Sequence, residues 1–388
     1  MIAVSSLSGS ERDELRTSVR SLLSRDSSSE RVRAVIADEP GFDRSLWDEM
    51  VRLGWSSIHV PTDLGGGGAG YADLAVVLHE LGRAITPSPF LASAVLASGA
   101  LMLAENRGLT DDLLTSMTAG EAVGSVAFAS AAGSYEPALL SLGWQRESAS
   151  IRLRGSSGYV LDADCTDFLV VAARDAGNQP AVVVVDAATP SVVIERAPTV
   201  DATRRLFNVS FHDVVVPDER MLCEPGSDAT ELLEQILALG AIAAAADATG
   251  VADHALERAS EYAKDRVQFG KPIGSFQAVK HHCANMAIAV VASRAAVRAA
   301  CDTLDRDRRA WRTAAAVTSS YVGPACAEAC ALALRVHGGI GFTWEHDSHL
   351  YLKRAKLDEV LFGTPSWHRR RLGRDVIAGV DLREDSTA

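Results

Sequence analysis

The amino-acid sequence predicts a mainly α-helical protein with a central β domain. An N-terminal helical domain covers residues 1–120, a small β-barrel or sandwich covers 121–222, and a C-terminal four-helix bundle covers 223–388. Two changes of hydrophobic period support this division. Apolar residues recur at helical spacing up to about residue 120, then fall into alternating or β-branched runs, then return to helical spacing on an alanine-rich background. At 388 residues and 47% hydrophobic, the chain is long enough for two or three domains and a large core.

The elements follow in order. Leu15, Val19, Leu22 and Leu23 mark one amphipathic helix, Leu46, Met50 and Leu53 a second, and Leu74, Val77, Leu78 and Leu81 a third. Between them, Val60 to Gly70 contains four consecutive glycines and reads as a loop. It has no Gly-Lys-Ser/Thr, so a phosphate cradle of that kind is not indicated. Strands are expected at Val123–Ala129, Ile151–Leu153, Phe168–Ala172, Ala181–Val185, Val192–Ile194 and Leu206–Val216, separated by Gly, Asp, Asn and Pro. Four helices should close the chain, at Asp228–Ala263, from Phe276 through Val290, at Trp311–Val336 and at about Glu345–Leu361. The first carries a small-residue face suited to close helix packing. There is no internal repeat and no low-complexity linker, so one compact subunit is expected.

Charge and cysteine usage exclude some classes of function. With 38 Lys+Arg against 50 Asp+Glu the net charge is -12, and no basic stripe offers a nucleic-acid surface. The six cysteines are scattered without Cys-x-x-Cys or Cys/His ligand spacing, so neither a disulfide framework nor a metal site is expected. Met1 to Glu14 lacks a basic segment followed by an apolar one, and the apolar run Ile236–Ala246 is too short to span a bilayer. A cytoplasmic location is the default expectation.

Two glycine-containing segments carry the functional signal: Arg266-Val-Gln-Phe-Gly-Lys-Pro-Ile-Gly-Ser-Phe-Gln277 and Arg335-Val-His-Gly-Gly-Ile-Gly-Phe-Thr343. Each alone reads equally well as a helix end or an interhelical turn. Together, in this order on a helical background, they resemble the FAD-binding segments of the acyl-CoA dehydrogenase family. Val60-Pro-Thr-Asp-Leu-Gly-Gly and Phe207-Asn-Val-Ser-Phe-His-Asp-Val-Val-Val-Pro217 resemble other segments of that family. The resemblance implies FAD as cofactor and acyl-CoA as substrate, with Arg266, Phe269, Gln277, Gly338, Gly339 and Thr364 as cofactor-binding residues and Gly341 beside them. Arg266 would pair with the pyrophosphate, and the glycines would let backbone approach it closely.

The same resemblance locates the expected base. The reaction removes an α-proton to a carboxylate and transfers a β-hydride to the flavin, so a Glu must face the acyl chain. In most members it lies in Tyr-Glu-Gly-Thr; here the matching run is Leu361-Phe362-Gly363-Thr364. The alternative position, on the first helix of the C-terminal domain, falls on Gly240. Asp247, two helical turns on, is a weak candidate for a relocated base and reads first as a structural hydrogen-bonding carboxylate or a subunit contact. The middle-domain motifs are degraded to Ala129-Ser-Ala-Ala-Gly-Ser134 and Tyr159-Val-Leu161.

His337 reads as a hydrogen bonder that orders its loop, His281 and His282 as solvated or interface residues, and Arg369–Arg371 as a solvated helix face. The pattern resembles the base-less subunit of actinobacterial heteromeric acyl-CoA dehydrogenases that act on steroid side chains. This implies an α2β2 assembly with a related subunit and electron-transfer flavoprotein as acceptor. A homotetramer with a relocated base, a flavin monooxygenase of the same fold and a non-catalytic scaffold remain as alternatives.

Overall fold

The computed structural model describes residues 6–38 and 41–378. Six helices precede the strands: α1 (Gly9–Asp26), α2 (Ser29–Ala37), α3 (Arg44–Arg52), α4 (Tyr71–Arg83), α5 (Ser98–Leu103) and α6 (Arg107–Thr118). The strands of one sheet follow: β1 (Gly124–Ala127), β2 (Gly143–Glu147), β3 (Ser150–Leu161), β4 (Phe168–Arg174), β5 (Pro180–Asp186), β6 (Val192–Arg196) and β7 (Leu206–Pro217). Then come α7 (Ser227–Asp265), a hairpin of β8 (Val267–Gln268) and β9 (Lys271–Pro272), and α8 (Gln277–Arg306), α9 (Trp311–His337), α10 (Ser348–Asp358) and α11 (Pro365–Ile377). The predicted order of helices, central sheet and helices is observed. The chain divides into two compact units, residues 1–10, 30–74 and 87–240, and residues 11–29, 75–86 and 241–388.

The first unit holds the sheet. The pairing branches at β4: β5 pairs along one side antiparallel, while β1 and then β2 pair along the other in parallel, with Gly124 opposite Phe168 and Gly143 opposite Arg174. From β2 the order continues through β3 and β7 to β6. The long β3–β7 pairing shifts register between Leu153 and Gly155 and again between Ser157 and Val160, and such irregularities bend a sheet. Ile151, Leu153, Val171, Val183, Val209 and Phe211 form its core. β5 is buried from Pro180 to Val185, which explains its unbroken valine run in place of alternation. β2, Gly-Trp-Gln-Arg-Glu, was not expected; it is half-buried or exposed and carries no apolar alternation. Phe90–Ala97 is a fully buried π-helix, and its Ser93 hydroxyl accepts the Gly124 N–H of β1 at 3.2 Å.

His59 is a buried titratable group of this unit. Its Nε2–H donates to the Ser98 hydroxyl at 3.2 Å, which donates onward to the Ala94 carbonyl at 2.9 Å. Burial pushes its pKa down to about 4. The unfolded chain therefore binds a proton near pH 6.5 that the folded chain refuses until about pH 4. Stability from this group is complete above pH 6.5 and falls away through that window, by up to about 3 kcal/mol.

In the second unit α4 and α7 cross at two glycines. A Cβ on Gly82 would lie 2.1 Å from the Asp247 carbonyl oxygen, and one on Gly250 would lie 1.9 Å from the His79 carbonyl oxygen. Next to this crossing, Glu80 accepts two hydrogen bonds from Arg20, at 2.8 and 2.9 Å, and a contact from His79. Burial alone would raise the Glu80 pKa, but the His79 and Arg20 hydrogen bonds outweigh it and hold the carboxyl at about 2.

The helix expected at Glu345–Leu361 is shorter, Ser348–Asp358, and a fifth C-terminal helix follows it. Thr364 caps α11 and Pro365 occupies its first turn, a start signal that the arginine-rich interior obscured. Most of the apolar window of α7 is buried, whereas only 28% of that of α8 is, leaving Ile288 and Val291 exposed.

Two outcomes are expected. Gly250→Ala should lower the unfolding free energy by about 1–3 kcal/mol or more although alanine favours helix, because the new Cβ meets backbone that cannot yield. Equilibrium denaturation measures it. His59→Gln should flatten the loss of stability between pH 6.5 and 4, read as thermal midpoint against pH.

Candidate functional site

The segment from Arg266 to Gln277 is a tight hairpin rather than a plain loop. β8 and β9 pair through Val267–Pro272 and Gln268–Lys271, joined by Phe269 at φ +54° and Gly270 at φ +76°. Two positive φ angles suit a type I′ turn, but phenylalanine there is strained. Phe269 is 93% exposed, with its ring edge-on to Phe276 at 6.1 Å. The Arg266 backbone is fixed at both ends, its N–H on the Tyr262 carbonyl (2.9 Å) and its carbonyl accepting from Ile273 (2.8 Å), while its side chain is exposed. Gln277 opens α8, whose cap Phe276 supplies no side-chain acceptor, so the first-turn N–H groups have none there.

The second glycine segment ends α9. Gly338 adopts φ +64°, and a Cβ on Gly338 or Gly339 would meet nothing within 4 Å, so this backbone face is open. Gly341 differs: its Cβ would lie 2.8 Å from the Leu334 carbonyl oxygen, making it a packing glycine. His337 is buried, with Nδ1 2.8 Å from the Ala333 carbonyl and burial lowering its pKa. Its ring lies 4.8 Å from Tyr262 and 4.5 Å from His346. Tyr262 thus holds the Arg266 backbone and contacts the residue before Gly338, so the two segments share one neighbourhood. Sequence spacing gave no signal for Tyr262.

Phe362 is 1% exposed at φ +63°, followed by Gly363 at φ +114°. Thr364 caps α11, its hydroxyl oxygen accepting from Trp367 N–H at 3.2 Å and lying 3.1 Å from the Ser366 hydroxyl. Gly240 is buried within α7 and offers no side chain. Asp247 is also buried, and both its oxygens bind Arg354, at 2.9 and 3.0 Å. A carboxylate held in this fork is a poor proton acceptor.

In the first unit the Ala129–Ser134 turn closes on itself. Ser130 N–H donates to the Ser134 carbonyl at 2.7 Å, and Ser134 N–H donates to the Ser130 hydroxyl at 2.9 Å. Gly133 lies under the Tyr159 ring, where a Cβ would be 3.0 Å away, and Tyr159 stands half-exposed at φ +56°.

The exposed Arg266 guanidinium, the open glycine backbone and the presented Phe269 fit the adenine and pyrophosphate half of FAD. The ring half is less well provided: Ser130 is tied into its own turn, and Tyr159-Val-Leu lacks a hydroxyl at its third position. Of the Arg369–Arg371 run, Arg369 and Arg370 are exposed, whereas Arg371 is buried over the Trp367 ring at 4.4 Å.

Asp247→Asn should cost about 3 kcal/mol of stability, because it removes the carboxylate that takes two hydrogen bonds from the buried Arg354 and leaves that charge facing Asp358 at 3.9 Å. A triple substitution, Asp247→Asn with Arg354→Met and Asp358→Asn, which removes all three charges together, should recover much of that loss. Chemical denaturation of the three proteins checks both.

Comparison with known proteins bears on the whole chain. Residues 9–121 match the family model described as acyl-CoA dehydrogenase, N-terminal domain, and residues 230–377 match acyl-CoA dehydrogenase, C-terminal domain. Acyl-CoA dehydrogenase IpdE2 of Mycobacterium tuberculosis is 34% identical over 94% of this chain and 97% of its own. Among solved structures, a variant of the Tcur3481–Tcur3483 steroid ACAD aligns with TM-score 0.87 and 27% identity over 96% of this chain and 99% of that one. The ChsE4–ChsE5 complex from Mycobacterium tuberculosis aligns with TM-score 0.85 and 26% identity over 98% and 99%. The chain belongs to the acyl-CoA dehydrogenase family.

Proposed function

We propose that this chain is the base-less, FAD-cradling subunit of a heteromeric acyl-CoA dehydrogenase, completed by a related subunit that carries the catalytic carboxylate. The observation that carries the reading is Phe362. At the family's base position stands a fully buried aromatic ring, so this subunit brings neither a proton acceptor nor open space there. Gly240 is empty, and Asp247 is engaged by Arg354, which weighs against a relocated base.

FAD held here would supply the acceptor for the β-hydride of the acyl thioester, and the partner's carboxylate would accept the α-proton. This chain's share is positioning. Arg266 would pair with the pyrophosphate, Phe269 would cover an apolar face, Gln277 and the open backbone at Gly338 and Gly339 would line the dinucleotide, and the Thr364 hydroxyl would donate to it. The exposed apolar face of α8, with Ile288 and Val291, supports a partner surface, since faces of this kind are normally covered. Both named two-component assemblies among the similar structures support a heteromer. An acyl-CoA with a bulky ring system, electron-transfer flavoprotein as acceptor and a cytoplasmic setting belong to the same reading.

The test is co-expression with candidate partner subunits, followed by mass, flavin stoichiometry and acyl-CoA oxidation. The chain alone should not turn over acyl-CoA, whereas the complex should. In the complex, Arg266→Ala should weaken FAD binding by about 10- to 100-fold, with lysine restoring it only partly. A homomer of this chain with one FAD per subunit that oxidises an acyl-CoA would sink the proposal.

A further inference from the structure

His368 lies six residues beyond Phe362 on the first turn of α11, within a run of arginines that hides it in the sequence. It is 2% exposed. Its ring is hydrogen-bonded to the Phe362 carbonyl, and its Nε2 has no hydrogen-bond partner among the described residues, so the bond runs through Nδ1. Trp367 stands edge-on to the ring, with centroids 4.9 Å apart and planes at 83°. Between these two rings and the turn there is no spare room. A Cβ on Gly363 would fall 2.6 and 2.9 Å from Trp367 ring carbons and 3.0 Å from His368 Nε2.

We infer that His368 is a positioning residue, which through Nδ1–H holds the Phe362 carbonyl and so fixes the left-handed turn that aims the Phe362 ring and the Thr364 hydroxyl. Three features meet at this one side chain. Phe362 at φ +63° is a strained conformation that a bulky residue leaves unless its surroundings hold it. The carbonyl it turns inward needs a donor, and Nδ1–H supplies one. Nε2 must then stay unprotonated, because Nδ1 carries the proton of the neutral ring and no acceptor faces Nε2 among the described residues. The tautomer, the glycine and the strained residue therefore specify one another. The inference rests on the reading above for its consequence at the cofactor, since Thr364 is there a proposed FAD contact.

The experiment has two arms. In protein labelled with 15N-histidine, long-range 15N–1H spectra at pH 7, assigned by the signal lost in His368→Asn, should show His368 protonated at Nδ1 and bare at Nε2. The opposite tautomer or an imidazolium would overturn the inference. In the assembled complex, FAD dissociation constants of three variants are compared with wild type. His368→Asn, which can place an amide N–H near Nδ1, should stay within about three-fold, whereas His368→Gln and His368→Leu should weaken binding about ten-fold or more. Equal loss in all three, tracking their thermal midpoints, or no loss in any, would make the residue mere packing. Neither arm reads turnover. A lone chain that oxidises acyl-CoA therefore defeats the heteromer reading without touching this one, and the wrong tautomer does the reverse.

Discussion

The crossing of α4 and α7 at Gly82 and Gly250 is the constraint on which the second unit depends. No side chain separates the two backbones, which sit where even a methyl group would overlap carbonyl oxygens on both helices. Contact this close fixes the angle and height of α7 against α4, and with it the direction of Asp247 one turn before Gly250. Asp247 then meets Arg354 of α10 as a buried two-pronged pair. α10 is tied a second time to α4, where the Tyr351 hydroxyl donates to the Arg83 carbonyl at 3.1 Å. The helix that leads directly to Phe362 is thus placed by a glycine contact and an ion pair. Gly82, Gly250 and Asp247 all lie far from that residue in sequence.

A buried ion pair is weak evidence of net stabilisation, since desolvating two charges offsets most of their attraction. Its value here is geometric. The fork of Arg354 accepts a carboxylate in one orientation, and any sliding of α10 along α7 would leave both charges buried and unmatched. The pair also accounts for an ionisable residue on an otherwise alanine-rich helix: Asp247 marks the seat of α10.

Local patterns were legible in the sequence and non-local pairings were not. The switches from helical to strand period placed the sheet and the long helices, because burial on one face leaves a period in the chain. The glycine segments were legible because close backbone approach demands that residue type. β2 was missed because Gly-Trp-Gln-Arg-Glu buries little and carries no apolar alternation. α11 was missed because its charged positions masked the Thr-Pro start. Arg354, 107 residues from Asp247, and Tyr262, which contacts His337, act across distances that no local spacing reports. Asp247 read alone is an ambiguous carboxylate, and only its partner separates the structural role from the catalytic one.

Part of the backbone strain lies in segments that resemble the family's ligand-binding segments. Among the described non-glycine residues with positive φ, Phe269, Tyr159 and Phe362 are the aromatic ones, and each stands in a segment that resembles a cofactor or substrate segment of the family. Such conformations persist only where surroundings over-determine them. At Phe269 the hairpin register does so, at Phe362 His368 and the crowded Gly363. This separates two things that one mutation can uncouple. The shape of the turn is held by backbone hydrogen bonds and a glycine, whereas the chemistry of a base resides in a single side chain. A Glu at residue 362 can therefore be replaced by an aromatic ring while the turn, the Gly-Thr pair and the cap of α11 persist. In the proposed heteromer, a partner carboxylate would relieve this subunit of the chemistry while the turn at Phe362 and Gly363 keeps its geometry.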